Sequence, residues 1–486
     1  MKPMATAGLI FASILFLNSV ASAQKATQES PNVLFIAVDD LRPQLNCYGK
    51  TAMHTPGFDA LAARSVLFER AFCMVPTCGA SRASLMTSVR PNPKRFVSHM
   101  ARADKEAPEA TTLNTHFKSN GYTTISLGKV FHYSDDSKKG WSEKPWRPKG
   151  NDYSSEQIVK QAIKEHLAKF PKPKKTMRGP AFELGTKDES QYRDHQTATE
   201  AIRYLNQFAG DMQQPFFLAV GFVKPHLPFC APKKYWDLYD HDKIDVPSNF
   251  AMPTDLPDGA VHTSGELRSY SGIPPTGQVD RETARHLIHG YYACVSMIDA
   301  QVTRLLESLD KNGQADNTII VLWGDHGWQL GEHGMWNKHS CFETSMHTPL
   351  FISAPNIAGG KRTAALTEFI DIYPTLCELS GIAIPAHVEG KSVVPQLHDP
   401  SLPGKEYAVG RFGSGDTIRS DHFRLSQYRG SKGLGTTQGS MLFDHRSDPD
   451  ENKDVVSKPE NESIVKMMQR ELNQRKGKPS MEPAGK

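Results

Sequence analysis

The sequence predicts an α/β fold: a large, mostly parallel sheet sandwiched by helices, followed by a smaller C-terminal α+β subdomain. Three observations carry this. Continuous apolar, β-rich runs alternate with amphipathic helical stretches, as parallel strands and their crossovers do. The first such run, Asn32 to Val38, has no polar alternation, as expected for a strand buried on both faces. Beyond a Pro- and Gly-rich segment at residues 384–404 the pattern changes to short strands and one terminal helix.

Taken in order, residues 1–23 have the form of an export signal. Lys2 gives a positive start, Ala5 to Val20 is mostly apolar, and Ala21-Ser22-Ala23 offers a small-residue cleavage site. The apolar run is short for a membrane span and no later run approaches the required length, so the expectation is an exported chain, periplasmic or secreted, without stable membrane insertion. After the Asn32 to Val38 strand, Ala80 to Val89 reads as a helix. Thr112 to Ser119 is a helix closed by Asn120-Gly121, and Tyr122 to Leu127 a strand. Ser137 to Lys175, rich in Lys, Pro and Trp, reads as an insertion or long loop. Thr197 to Phe208 is helical and Phe216 to Val220 a strand; a long helix from Glu282 to Asp310 leads through Asn312-Gly313 into the strand Thr318 to Trp323. Pro349 to Ser353 is a strand and Ile372 to Leu379 a helix ended by Gly381. Glu406 to Phe412, Phe423 to Tyr428 and Met441 to Asp444 read as strands of a small sheet. The final helix, Asn461 to about Arg475, places Ile464, Met468 and Leu472 on one face.

The balance of 57 basic and 53 acidic residues, net +4, lacks the basic excess of a nucleic-acid binder. Seven cysteines (47, 73, 78, 230, 294, 341, 377) show no C-x-x-C spacing, which argues against a structural zinc site. The six besides Cys78 are compatible with disulfides in an oxidising compartment.

In an open α/β sheet, ligands bind outside the carboxyl ends of the strands. Four polar clusters fall there: Asp39-Asp40; Lys129 with His132; Lys224-Pro225-His226; and Asp325-His326, followed by Glu332-His333 and Lys338. Singly, each suits a solvated turn as well as a site. Cys78 adds a thiol at a helix start, where unpaired N–H groups and the helix dipole favour negative charge, with Arg82 one turn on. An unmodified thiol there reads as a low-pKa thiolate.

Together, Asn32 to Asp40, Cys78-Gly79-Ala80-Ser81-Arg82, Gly128 to His132, Phe216 to Pro228 and Asp325 to Gly334 resemble the type I, formylglycine-dependent sulfatases of the alkaline-phosphatase superfamily. The wording is nearest the iduronate 2-sulfatase-like branch, over residues 31–380 and more weakly through Leu442-Phe443-Asp444 and Asp448-Pro449. Ala80 stands where Pro is commoner, and Ser88 where relatives have Gly. With the boundary read at the Pro- and Gly-rich segment, the chain divides into a catalytic sulfatase-like domain over residues 24–400 and a C-terminal subdomain over 401–486, with a small antiparallel sheet and a terminal helix. The resemblance implies that Cys78 is converted to formylglycine by a maturation enzyme, and that Asp39, Asp40, Asp325, His326 and one oxygen of modified Cys78 hold one Ca²⁺. The aldehyde hydrate attacks sulfur to leave a covalent sulfate on residue 78, and loss of a proton from its second hydroxyl expels sulfate. In that scheme Arg82 and Lys129 steady the diol and His132 takes the proton. His226 and Lys338 bind sulfate oxygens and help protonate the leaving group.

The implied function is an exported sulfatase acting on a sulfated sugar or polysaccharide. Two alternatives share the residues: a phosphate or phosphonate ester hydrolase, and a non-catalytic module that binds sulfated glycan if Cys78 stays unmodified. The Lys138 to Lys149 stretch, with Trp141 and Trp146, fits either a track for an anionic chain or a solvated loop with anchored aromatics; Trp328 is a candidate sugar contact.

Overall fold

The computed structural model describes residues 30–171, 177–211, 214–253, 255–429 and 437–477, so the export signal read at residues 1–23 lies outside the described residues. Eight strands make the central sheet. Its order is Lys361–Thr363, Val66–Phe72, His347–Ser353, Thr318–Gly324, Asn32–Val38, Phe216–Phe222 and Thr123–Gly128, with Thr367–Glu368 also paired to Val66–Phe72. His347–Ser353 runs antiparallel to both neighbours, and the remaining pairings are parallel. The expected mostly parallel sheet is therefore the observed one.

Alternation along Asn32–Val38 explains the layering. Leu34, Ile36 and Val38 point into one core with the helices Arg193–Asp211 and Arg281–Lys311, through residues such as Ala198, Leu205, Leu287 and Val295. Val33, Phe35 and Ala37 point into the other, against Ala83 and Leu85 of Cys78–Thr87, Phe117 of Leu113–Ser119 and Leu376 of Ile372–Leu379. With both faces covered, the central strands carry no polar side, which is why they read as unbroken apolar runs. No helix among the described residues is long and apolar enough to cross a membrane.

The Ser137 to Lys175 segment departs from the expected loop. Glu156–Lys169 is a helix capped by Ser155, whose side chain accepts from the Ile158 amide. Ahead of it the chain runs along the edge strand Thr123–Gly128: the amides of Ser142 and Trp146 donate to the carbonyls of Thr124 and Ser126, and Gly128 donates back to Trp146. This covers an otherwise open sheet edge. Trp141 is 3% exposed and meets Phe131 and Phe217, so it is an anchored aromatic with no face for a sugar, while Trp146 is half-buried against the core on the other face of the sheet.

Ala408–Phe412, Gly415–Arg419, Phe423–Arg429 and Thr437–Asp444 form a four-stranded antiparallel sheet. Met468 and Leu472 of the helix Glu462–Arg475 pack on its Ile418, Leu425 and Leu442. All seven cysteines lie among the described residues and none is paired, which replaces the disulfide expectation with free thiols, six of them buried.

Glu368 fastens this sheet to the main body. Fully buried, it accepts from Arg90 at 2.7 Å, from the Lys405 ammonium at 2.5 Å and from the Val409 amide at 2.8 Å. Burial opposes its charge, but Arg90 and Lys405 overcome that and bring its pKa down to about 2. Because the folded value lies below the ordinary one near 4.5, the stabilisation is present above that pH and lost as pH falls towards 2. Glu368→Ala is expected to cost about 3–5 kcal/mol in urea unfolding at pH 7. The gap from wild type should narrow as acid neutralises the native carboxylate.

Candidate active site

Val38 is in register with Phe222 on one side and Gly324 on the other, so three strands end level. The next residues are thereby laced together. The Asp39 amide donates to the Phe222 carbonyl at 3.2 Å and the Asp325 amide to Val38 at 3.1 Å. Asp40, left-handed at φ 59°, turns its amide to Asp325 Oδ1 at 3.0 Å. Val66–Phe72 points the same way, and the helix Cys78–Thr87 begins just beyond its end, bringing Cys78 to the same rim.

All ten residues of that helix are buried. Arg82, with no solvent exposure, donates from Nε to Asp325 Oδ2 at 2.9 Å and from Nη2 to Asp39 Oδ1 at 3.0 Å. Its Nη1 bonds the carbonyls of Lys129 and Val130. The guanidinium thus braces carboxylates and carbonyls instead of reaching Cys78. The helix ends at Ser88, left-handed at φ 52°, a conformation that favours Gly; its hydroxyl donates to the Ile370 carbonyl and accepts from the Gly390 amide.

Lys129 is delivered by a glycine pair. Gly128 has φ +70°, and a Cβ there would lie 2.1 Å from the Gly221 carbonyl oxygen. A Cβ on Gly221 would likewise meet the Lys129 backbone at 2.1 Å. The close approach turns the chain outward, and the Lys129 ammonium lands on Asp39. Opposite, Lys338 contacts Asp40 Oδ1 at 3.1 Å and Glu266 Oε2 at 3.0 Å, its ammonium 4.9 Å above the Trp328 ring. Trp328 is fully buried, so it backs Lys338 and does not meet a ligand, contrary to its expected sugar contact.

Cys78, Lys129, His132, His226 and Lys338 line one cavity of about 950 Å³, together with residues that no motif singled out: His99, Arg178, His262, Glu266, His339 and Phe412. Of the site residues read from sequence, Asp39, Asp40, Asp325 and His326 gather beneath it with no solvent exposure, and Arg82 lies behind them. Lys224, in contrast, turns away to Asp152 at 3.4 Å. Glu266 carried no usable signal: it lies in an irregular stretch, and only folding brings it to Lys338 and His226.

The electrostatics follow from burial and pairing. Burial works against the Asp39 carboxylate, but Lys129 and Arg82 outweigh it and hold its pKa well below the usual range. Burial and the neighbouring Asp39 push Asp40 up to about 7 despite Lys338. Burial, reinforced by Asp39, also pushes the Cys78 thiol well above its ordinary value. This reverses the low-pKa thiolate expected from a helix start beside an arginine, because that arginine is already committed to Asp39 and Asp325. Burial and Lys129 bring His132 down to about 3, leaving it a neutral base.

His326 Nδ1 lies 3.0 Å from the Gly327 carbonyl and donates to it. A neutral ring therefore presents a bare Nε2 to Asp40 Oδ1 and Asp325 Oδ1, each 3.4 Å away, and to the Cys78 sulfur at 3.3 Å. The protonated Cys78 thiol can donate to this nitrogen, while the two carboxylate oxygens beside it crowd lone pairs into the same buried space, a repulsion that a cation among them would relieve. Asp39, Asp40, Cys78 and His326 each bring a ligand atom within 4.8 Å of the others. With carboxylate oxygens prominent among the donors and Asp325 adjoining, the set fits a hard divalent cation.

Residues 31–382 match the family model described as Sulfatase, and residues 331–478 one described as N-sulphoglucosamine sulphohydrolase, C-terminal. The chain is 32% identical over 451 residues to iduronate 2-sulfatase of Homo sapiens, covering 82% of this chain and 80% of that one. It is 33% identical over 463 residues to a sulfatase of Formosa agariphila, covering 92% and 88%. Among solved structures, a 2-O GAG sulfatase superposes with TM-score 0.69 at 23% identity, covering 92% and 91%. The phosphonate monoester hydrolase of Agrobacterium radiobacter does so with TM-score 0.72 at 22% identity, covering 91% and 95%. These two likenesses are of fold.

Unmodified Cys78 is expected to react with iodoacetamide at pH 8 more slowly than a free cysteine, the rate rising with pH as thiolate forms. Peptide mass spectrometry over a time course measures this; a rate equal to free cysteine would contradict the raised pKa.

Proposed function

The chain belongs to the sulfatase family and is a sulfuric ester hydrolase, and from that premise we propose that it is exported, depends on formylglycine at residue 78, and acts on a sulfated sugar or polysaccharide. The observation that carries the proposal is the cavity itself: Cys78 at its floor, with Lys129, Lys338, His132 and His226 around it. Ammonium groups held beforehand around one point suit a tetrahedral oxyanion and the charge that develops on it in transfer. A volume of about 950 Å³ has room for a sugar unit beyond the sulfate.

Asp39, Asp40, Asp325 and His326 are the residues that would hold a divalent cation, calcium by the family's chemistry, which when bound polarises sulfate oxygens as a Lewis acid. An aldehyde hydrate at residue 78 supplies one hydroxyl to attack sulfur and a second whose deprotonation releases sulfate. The other roles belong to unmodified side chains. Arg82 fixes Asp39 and Asp325. Lys129 and Lys338 face the sulfate oxygens. His132, neutral and lining the cavity, takes the proton in the release step. His226 is the acid. Its Nδ1 lies 2.6 Å from the Leu227 carbonyl and its Nε2 3.1 Å from Glu266 Oε1, so each nitrogen faces an oxygen acceptor. Burial and Lys338 lower its pKa against the pull of Glu266; the two acceptors nonetheless hold a proton on each nitrogen, and the imidazolium so held can protonate the departing sugar oxygen.

Co-expression with a formylglycine-forming enzyme is expected to give an aldehyde at residue 78 by mass spectrometry, and sulfate release from sulfated sugars by ion chromatography. Cys78→Ala abolishes release. His132→Ala lowers turnover by about 10²–10⁴-fold. Only thiol at residue 78 with no sulfate released would overturn the proposal, and faster cleavage of phosphate or phosphonate esters would transfer it to that chemistry. Dialysis against a chelator is expected to remove activity and added Ca²⁺ to restore it.

A further inference from the structure

A second cleft, of about 380 Å³, shares Lys129, His132, Arg178 and His226 with the catalytic cavity. Its remaining wall carries Arg147 and Arg193, and no aspartate or glutamate lines it. Three guanidiniums around one small space are costly unless each has a counter-charge. Arg193 has one, bonding Asp152 at 2.6 Å.

Arg147 and Arg178 are held differently. Arg147 donates from Nε to the Gly128 carbonyl at 3.1 Å and from Nη2 to those of Phe131 and His132 at 2.6 and 3.2 Å. These partners are neutral, and among the described residues no carboxylate pairs with it. Burial and the nearby Arg82 accordingly draw its pKa down to about 10. Arg178 lies over the Tyr270 ring, 5.3 Å from its centroid, and donates to the Tyr270 hydroxyl at 3.2 Å, again with no carboxylate partner among the described residues. Both side chains are therefore fixed in position by neutral groups; Glu266 favours the Arg178 charge only at a distance and is itself paired with His226 and Lys338, so neither guanidinium has a counter-ion in contact. An anion entering the cleft gains charge-assisted hydrogen bonds from donors that need no rearrangement.

We propose that this side cleft is a second anion subsite, in which Arg147 and Arg178 bind a carboxylate or further sulfate on the same sugar chain whose ester sulfate occupies the catalytic cavity. For the first anion this rests on the sulfate-ester reading above; for the second it rests on the cleft's own unpaired guanidiniums. The substrate class is thereby narrowed to sugars with two oxyanions, and Arg147 and Arg178 become its selectivity residues.

The test is kcat/KM on three matched sulfated disaccharides: one bearing a uronate carboxylate, one with that carboxyl reduced to an alcohol, and one with a second sulfate instead. Wild type is expected to favour at least one doubly anionic substrate over the reduced one by about tenfold or more. Arg178→Gln and Arg147→Gln should bring that ratio towards one, chiefly through KM, with Arg178→Lys retaining part of it. No preference in wild type, or variants that lose equally on all three substrates as a purely structural brace would, overturns the subsite. Calorimetric binding of the unsulfated uronate disaccharide to Cys78→Ala protein, with and without Arg178→Gln, keeps the two readings apart. Binding weakened by the substitution supports the subsite even if wild type releases no sulfate; binding unchanged by it counts against the subsite even if sulfate is released.

Discussion

Arg82 spreads its N–H donors over the carboxylates of Asp39 and Asp325 and the carbonyls of Lys129 and Val130, out of contact with solvent. Those four partners follow three different strands, so one planar group sets the distances among three loops. A lysine could supply the charge but not the fork. The arrangement also explains a polarity that would otherwise be forbidding. Three carboxylates have no exposure at the rim of the sheet, and a fixed cation among them offsets part of their mutual repulsion.

Around this brace the remaining charges divide by the direction they face. Lys129 and Lys338 are anchored on Asp39 and Asp40 yet line the cavity, so their positions are set before any ligand arrives. Preorganised charge of this kind loses little on binding an oxyanion. The same crowding explains why the bare thiol is a poor nucleophile: its nearest carboxylates and its burial both disfavour the thiolate. The reactive potential of residue 78 lies in what the position surrounds, and sulfur is not well served by it.

Much of this is legible in the chain, and for identifiable reasons. Parallel strands buried on both faces leave unbroken apolar runs, and polar residues directly after such runs fall at one end of the sheet. Asp39, Asp40, Lys129 and Asp325 can therefore be grouped from their order along the chain alone. Val66–Phe72 escapes that reading because Glu69 and Arg70 interrupt it; both are half-exposed on a strand near the sheet edge. Glu156–Lys169 is hidden by the lysines and prolines around it, although Ser155 and the apolar Ile158, Val159, Ala162 and Ile163 mark a capped amphipathic helix. Glu266, His262 and Arg178 are beyond reach for a different reason. They come from irregular chain or a three-residue strand, and their place in the cavity is a product of tertiary packing.

The C-terminal sheet adds one wall to a cavity otherwise built by earlier residues. Phe412 lines it and stacks on His339 with ring centroids 5.2 Å apart. Nearby, Arg419 and Arg424 hold Glu343, whose amide donates to Glu451, just after the loop that carries Lys338. A chain made from its N-terminus therefore emerges with its strand-end carboxylates, Cys78 and histidines long before the segment that closes over them. Until the chain from Ala408 onward docks, that wall is missing, and the surroundings of residue 78 are incomplete.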